Sequence, residues 1–161
     1  MLESPADTTA AKIRIAAMDL LTGREYSRAE LATKLNKRFD SHASIDEVLE
    51  KIAEEGLQSD KRFAEAFVRS RIYRGHGLAR IRQDIRQKGV GDELVARALE
   101  EADIDWYALA KDVAKRKFGN RPAADQRDKA RRMRFMQYRG FNYDQIKCAL
   151  GSSDDTDEYI D

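Results

Sequence analysis

The sequence predicts an all-α protein of three tandem three-helix repeats, helix-turn-helix-like, forming an elongated and curved array. Three observations lead there. Apolar residues recur at helical spacing along most of the 161 residues. Only 9 Gly and 2 Pro occur, which is too little turn chemistry for an all-β fold. Apolar positions also return at a period of 50 or 51 residues, the mark of a repeat architecture.

The first helix is expected over Ala10 to Leu21, with Thr8 or Asp7 as its cap and Thr22-Gly23 as its end. Ser27 with Glu30 three residues on reads as a capping box and opens a second helix, which places Leu31 and Leu35 on one face. Ser44 with Glu47 reads as another box. It opens a third helix carrying Ile45, Val48, Leu49 and Ile52, closed near Gly56. The pattern then restarts. Asp60 is the expected cap of a helix with Phe63, Phe67 and Val68 that stops at Gly75-His76-Gly77. Leu78, Ile81 and Ile85 mark the next, closed by Gly89, and Val95, Ala98 and Leu99 the one after. In the third round Asp103 or Asp105 caps a helix with Leu109, Val113 and Phe118, stopped by Gly119. Pro122 lies near the start of a helix with Met133 and Met136 that ends at Gly140, and Ile146, Ala149 and Leu150 close the series.

The registers agree. Leu35, Ile85 and Met136 form one column; Ile45, Val95 and Ile146 another; Val48, Ala98 and Ala149 a third; Leu49, Leu99 and Leu150 a fourth; Ala17, Phe67 and Phe118 a fifth. One column slips: Leu31 and Ile81 are answered by Arg132, and Met133 beside it is expected to take the core role. Phe39 stands where later repeats place Gly89 and Gly140. The resulting division is a flexible N-terminus at 1–9, repeats at 10–57, 58–102 and 103–150, and a flexible acidic tail at 151–161. A unit of about 50 residues buries a small core, so neighbours are expected to lean on one another.

Charge is dense but balanced, 30 Lys and Arg against 29 Asp and Glu. The balance is a cancellation. Residues 1–60 carry a net −4, residues 61–100 a net +5, residues 111–139 a net +8, and residues 151–161 a net −5. Two basic stretches on helical surfaces suit an anionic partner. No apolar run is long enough for a membrane span, and no secretory leader is visible at the N-terminus. A lone Cys148 fits a reducing cytoplasm and is expected to be packed beside an apolar column; with only His42 and His76 besides, no metal site is expected. Asp154, Asp155, Asp157 and Glu158 read as an acidic tail rather than a metal loop. No phosphate-binding G-x-x-x-x-G-K-[ST] loop and no catalytic constellation are present, so the chain is expected to be no enzyme and to need no cofactor. Tyr73, Trp106, Tyr138 and Phe141 could stack on bases, but their helical spacing favours packing in the core or between repeats, which is the expectation.

Three stretches resemble a known family. GLQSDKRFAEAFVRSRIYRGHG (Gly56 to Gly77), RFMQYRGFNYDQIKCAL (Arg134 to Leu150) and YSRAELATKLNKR (Tyr26 to Arg38) are similar to segments of the bacterial regulatory protein family RecX. The resemblance covers roughly residues 10–150. It implies a modulator of the RecA recombinase, active in DNA repair, recombination and the SOS response. Such a protein binds RecA and its DNA filament in the filament groove and inhibits ATP hydrolysis and strand exchange. It also implies three tandem three-helix repeats.

The expected contact residues for RecA or DNA are basic. In the second repeat they are Arg69, Arg71, Arg74, Arg80, Arg82, Arg86 and Lys88. In the third they are Lys115, Arg116, Lys117, Arg127, Arg131, Arg132, Arg134 and Arg139. Arg suits both carboxylate and phosphate, so either an acidic protein groove or a DNA backbone fits, without base readout. A monomer is expected. The alternative is a helix-turn-helix transcriptional regulator on operator DNA; such readers usually dimerise on palindromic sites, which three unequal tandem units do not predict. A structural scaffold is the remaining reading.

Overall fold

The computed structural model describes residues 5–151, with side chains from Thr8 onward; the expected acidic tail beyond Gly151 lies outside the described residues. Among the described residues the secondary structure is helical throughout. The elements are α1 (Pro5–Gly23), α2 (Arg28–Arg38), α3 (Ile45–Glu54), α4 (Asp60–Tyr73), α5 (Leu78–Gln87), α6 (Asp92–Ala102), α7 (Trp106–Phe118), α8 (Gln126–Tyr138) and α9 (Tyr143–Leu150).

Several helix starts differ from expectation, each for a local reason. α1 opens at Pro5, so residues 5–9 are helical rather than a flexible lead, and Asp7 and Thr8 lie inside the helix. Pro suits a first helical turn, where its missing N–H would have no partner. The Ser27 box forms as expected: its hydroxyl accepts from Glu30 N–H at 3.1 Å, and the Glu30 carboxylate accepts from Ser27 N–H at 3.2 Å. The Ser44 box does not form, because Ser44 has a helical backbone (φ −78, ψ −9), whereas a cap needs an extended one. Its N–H donates instead to His42 Nδ1 at 3.0 Å. Ser59, not Asp60, caps α4, accepting from Arg62 N–H at 3.2 Å. Asp105 rather than Asp103 caps α7, accepting from Ala108 N–H at 3.1 Å; Asp103 has a left-handed backbone.

The apolar columns face inward. Leu35, Ile85 and Met136 are fully buried, as are Ile45 and Ile146, while Val48, Leu99 and Leu150 are partly covered. Burying a side chain of this kind contributes roughly 1.5–3 kcal/mol.

The chain divides into two compact units that do not follow the repeats. The first runs to Phe67 and takes in Ile85–Ala98; the second holds Val68–Asp84 and the chain from Leu99. The middle repeat thus contributes to both.

In the first unit, Ile13, Ala17, Leu31, Leu35, Leu49 and Ile52 form a cluster, with Phe39 packed against it. Asp60 Oδ1 accepts from Arg28 N–H at 2.8 Å and from Gln58 Nε2 at 2.9 Å. This sets a carboxylate at the positive end of α2, where the helix dipole favours it. The turn after α5 meets the same helix start: Ser27 Oγ–H donates to the Lys88 carbonyl at 2.7 Å. A Cβ on Gly89 would lie 2.5 Å from Ala29 Cβ, so the turn must be bare there. In the first repeat Phe39 takes the matching place with φ −113, and Asp40 and Ser41 supply the left-handed conformation instead.

In the second unit, Ala110, Val113, Ala114, Met136, Phe141 and Ile146 form the cluster. Met133 packs against it, as the slipped column predicts. Arg132 bends inward beside it. Its side chain is 14% exposed, pairs with Asp128 at 3.3 Å, donates to the Arg121 carbonyl at 2.8 Å and stands over the Phe118 ring.

Candidate functional site

The second unit repeats the joint seen in the first, one repeat further on. α4 ends in a Schellman turn: His76 N–H reaches the Arg71 carbonyl at 3.0 Å and Gly75 N–H the Ile72 carbonyl at 2.9 Å. Gly75 takes the left-handed position with φ 81, and a Cβ there would press on Val113. α8 ends the same way, Phe141 N–H to Met136 carbonyl and Gly140 N–H to Gln137 carbonyl. The two turns are then bonded backbone to backbone. Gly77 N–H donates to the Arg139 carbonyl at 2.7 Å, and Ala79 N–H to the Gly140 carbonyl at 3.3 Å. Arg139 Nη1 also donates to the Arg74 carbonyl at 2.9 Å. Gly77 plays the part that the Ser27 hydroxyl plays in the first unit, and Arg139-Gly140 the part of Lys88-Gly89. The expectation for Gly75-His76-Gly77 was a helix stop. It is one, and it is also half of this joint.

His76 is enclosed at the joint, 6% exposed, and its Nδ1 has no hydrogen-bond partner. Burial lowers its pKa to about 4, helped by Arg80, Arg71 and Arg139 and opposed by Asp84. The imidazole is therefore neutral at neutral pH. Arg71 pairs with Asp84 at 3.0 Å and Arg80 with the same carboxylate at 3.7 Å. Two guanidiniums thus share one acidic group.

Two tyrosines stand out from these turns. Tyr73 is 88% exposed and Tyr138 74%. Both were expected to pack, and both are overturned as packing residues: each sits on the last turn of its helix, past the residues that reach the core. Phe141 does pack, at 4% exposure, and Trp106 is half-buried. Arg80 lies 4.8 Å from the centre of the Tyr138 ring, and the residue stays largely exposed. Exposed aromatic faces beside guanidiniums form a surface on which unpaired bases stack and phosphates pair.

The remaining expected contact residues fall into two groups. Arg69, Arg74, Arg82, Lys115, Arg127 and Arg134 are exposed, with no ion-pair partner among the described residues. Others are partly neutralised. Arg86 pairs with Asp92 at 3.3 Å, Lys88 with Glu30 at 3.4 Å, Arg116 with Asp112 at 3.2 Å and Arg131 with Asp128 at 2.8 Å. The Arg131 hydrogen bond, then the Ala124 N–H, hold the Asp128 carboxyl below its usual range. Lys117 and Arg139 lie over the Phe135 ring. The Arg132 head is turned inward, towards Asp128 and the Phe118 ring. Cys148, expected to be packed, is exposed on α9. Among the described residues no three His, Cys, Asp or Glu side chains gather to hold a metal, and no helix is long and apolar enough to cross a membrane. Sequence reasoning missed the joint. Its signal was the shared 50–51 residue offset of Ser27 with Gly77 and Gly89 with Gly140.

Fold and site define a class: an all-helical repeat protein of three three-helix domains that presents arginines and tyrosines on its turns. Family models describing RecX's first, second and third three-helix domains match residues 14–51, 59–99 and 103–150. The chain is 45% identical over 155 residues to the regulatory protein RecX of Halorhodospira halophila, covering 96% of each. It is 42% identical over 151 residues to the regulatory protein RecX of Pseudomonas putida GB-1, covering 94% of this chain and 96% of that one. The crystal structure of RecX from Lactobacillus salivarius superimposes with a TM-score of 0.74 at 26% identity, covering 90% of this chain and 96% of that one. A second crystal structure, of a regulatory protein RecX, has the same fold, with a TM-score of 0.74 at 24% identity over 89% of this chain and 73% of that one. The chain belongs to the RecX family of regulatory proteins.

Proposed function

We propose that the chain is a negative regulator of the RecA recombinase, acting in the cytoplasm as a monomer and without catalysis of its own. It binds RecA and the groove of the RecA–DNA filament, and so lowers ATP hydrolysis and strand exchange. Family membership supports a regulatory role. The observation that carries the contact is the paired-turn surface, where exposed Tyr73 and Tyr138 stand among Arg69, Arg74, Arg80 and Arg139. Such a surface meets single-stranded DNA through ring faces and phosphates, and acidic protein through the guanidiniums. Lys115, Arg127 and Arg134 extend the basic character through the third repeat. None of these groups reads base edges in a fixed register, so the DNA contact is independent of sequence.

The test is a titration of the protein into RecA filaments on single-stranded DNA. ATP hydrolysis should fall in proportion to occupancy, and substituting Tyr73 and Tyr138 by Ala should raise the concentration required. Full hydrolysis at saturating, demonstrably bound protein would rule out inhibition. Enrichment of one motif from a random duplex library would instead favour a transcriptional regulator.

A further inference from the structure

A cleft of about 930 Å³ opens between α7, α8 and α9 in the second unit. Its floor is apolar, with Phe118, Met133 and Ile146 contributing. Its rim is basic. Lys111, Lys115, Arg121 and Lys147 all line it, all are exposed, and none has an ion-pair partner among the described residues. Elsewhere in this unit the arginines that border carboxylates are paired with them, so four unpaired cations round one apolar floor call for an anionic occupant. Asp125 is the one acidic side chain in the lining.

We propose that this cleft is the docking site of the chain's own C-terminal segment, residues 152–161, which lie outside the described structure. Three observations carry it. The segment starts at the cleft itself: Leu150 and Gly151 line it, and Gly151 turns the backbone off the end of α9 with φ 59 and ψ 66. The segment has the complementary charge, with Asp154, Asp155, Asp157, Glu158 and Asp161 and no basic residue. It also has what the floor needs, an adjacent Tyr159 and Ile160. Ten residues reach up to roughly 33 Å when extended, so no lining residue is out of range. A cavity of this size holds several side chains. Docked there, the segment shields the cations of the third repeat and competes with any polyanion for them. The C-terminal segment is thus an internal rival to the ligand, and the inference holds whether or not RecA is that ligand.

The full-length protein is treated with a zero-length carbodiimide at low micromolar concentration and mapped by mass spectrometry. Amide links from Lys111, Lys115 or Lys147 to carboxylates of residues 154–161, within one chain, are expected. Links spread evenly over lysines that do not line the cleft, such as Lys12, Lys37 and Lys61, or none from the segment, overturn the proposal. A mixture of isotope-labelled and unlabelled protein separates the alternatives: links only between labels identify a second copy as the occupant and overturn it too. A second arm neutralises the segment in the full-length chain (D154N, D155N, D157N, E158Q). Affinity for a fluorescent oligo-dT should rise at least threefold, and an unchanged affinity refutes the competition.

Discussion

Gly77→Ala is the substitution on which the paired-turn reading stands or falls. A Cβ at Gly77 would lie 2.5 Å from the Gly140 carbonyl oxygen and 2.7 Å from Phe141 N. Ordinary van der Waals separation is about 3.5–4.0 Å, so one turn must retreat by about 1 Å. Both neighbours are backbone, and no side-chain rotation relieves the clash. A retreat of that size takes the 2.7 Å bond from Gly77 N–H to Arg139 out of range, and with it the 3.3 Å bond from Ala79 to Gly140. Each lost bond costs about 1 kcal/mol, and a buried group left unpaired costs about 1–3 kcal/mol more. The expected loss is about 3–5 kcal/mol, a large share of the 5–15 kcal/mol of a typical domain. Urea unfolding measures it, with amide exchange to localise it. Protection should fall first at Gly77 to Ile81 and at Gly140 to Phe141. Gly23→Ala is the control, since nothing lies within 4 Å of its Cβ and its backbone is not left-handed. That change should be neutral or stabilising by up to about 1 kcal/mol. A Gly77→Ala protein within 1 kcal/mol of the parent would refute the joint.

Three further outcomes are expected. Ser27→Ala removes both an N-cap acceptor and the hydroxyl donor to Lys88, and should cost about 2–3 kcal/mol in denaturant unfolding; a loss below 0.5 kcal/mol would contradict the first joint. His76 has a folded pKa near 4 against 6.5 unfolded, so the unfolded chain binds the extra proton first. Its stability contribution is whole above pH 6.5 and drains away as pH falls towards 4, by up to about 3 kcal/mol. The difference in stability between the parent and His76→Gln, followed from pH 7 to 4, isolates this from the carboxylates and should change with pH; a flat difference would contradict it. Tyr73→Ala and Tyr138→Ala should leave stability within about 0.5 kcal/mol, because both rings are exposed. Each should weaken oligo-dT or filament binding by about 1–3 kcal/mol, read by anisotropy, if bases stack there.

Much of the scaffold was legible in the sequence, and the reason is periodicity. Ile45, Val48, Leu49 and Ile52 share one helical face, and a face that is apolar at this spacing is buried wherever the helix lies. The Ser27 box was legible because its two hydrogen bonds close within four residues. The Ser44 box has the same letters and failed because the preceding turn, with Asp40 and Ser41 left-handed, delivers Ser44 in a helical backbone. Local pattern cannot see that. Tyr73 and Tyr138 were misread for a related reason: aromatic character suggests burial, but a residue on the last turn of a helix can lie beyond its neighbours' reach. Arg132 was read as surface because it is charged. An inward-facing register overruled this by giving it Asp128, the Arg121 carbonyl and the Phe118 ring. The matching glycines were visible as a coincidence of spacing; only the bonded turns explain why they match.

The two joints have a consequence for how such a chain changes length. Ser27 meets Lys88-Gly89, and Gly77 meets Arg139-Gly140, so the same socket accepts the next turn at a step of 50 or 51 residues. The stretch that recurs in the sequence is therefore offset from the bodies that hold together, because the middle repeat is shared between both. Removing or adding residues in whole steps of that period keeps a plug facing a socket. An insertion of any other length between one socket and its plug leaves that pair mismatched, and the damage is felt in the neighbouring repeat as well as where the change was made.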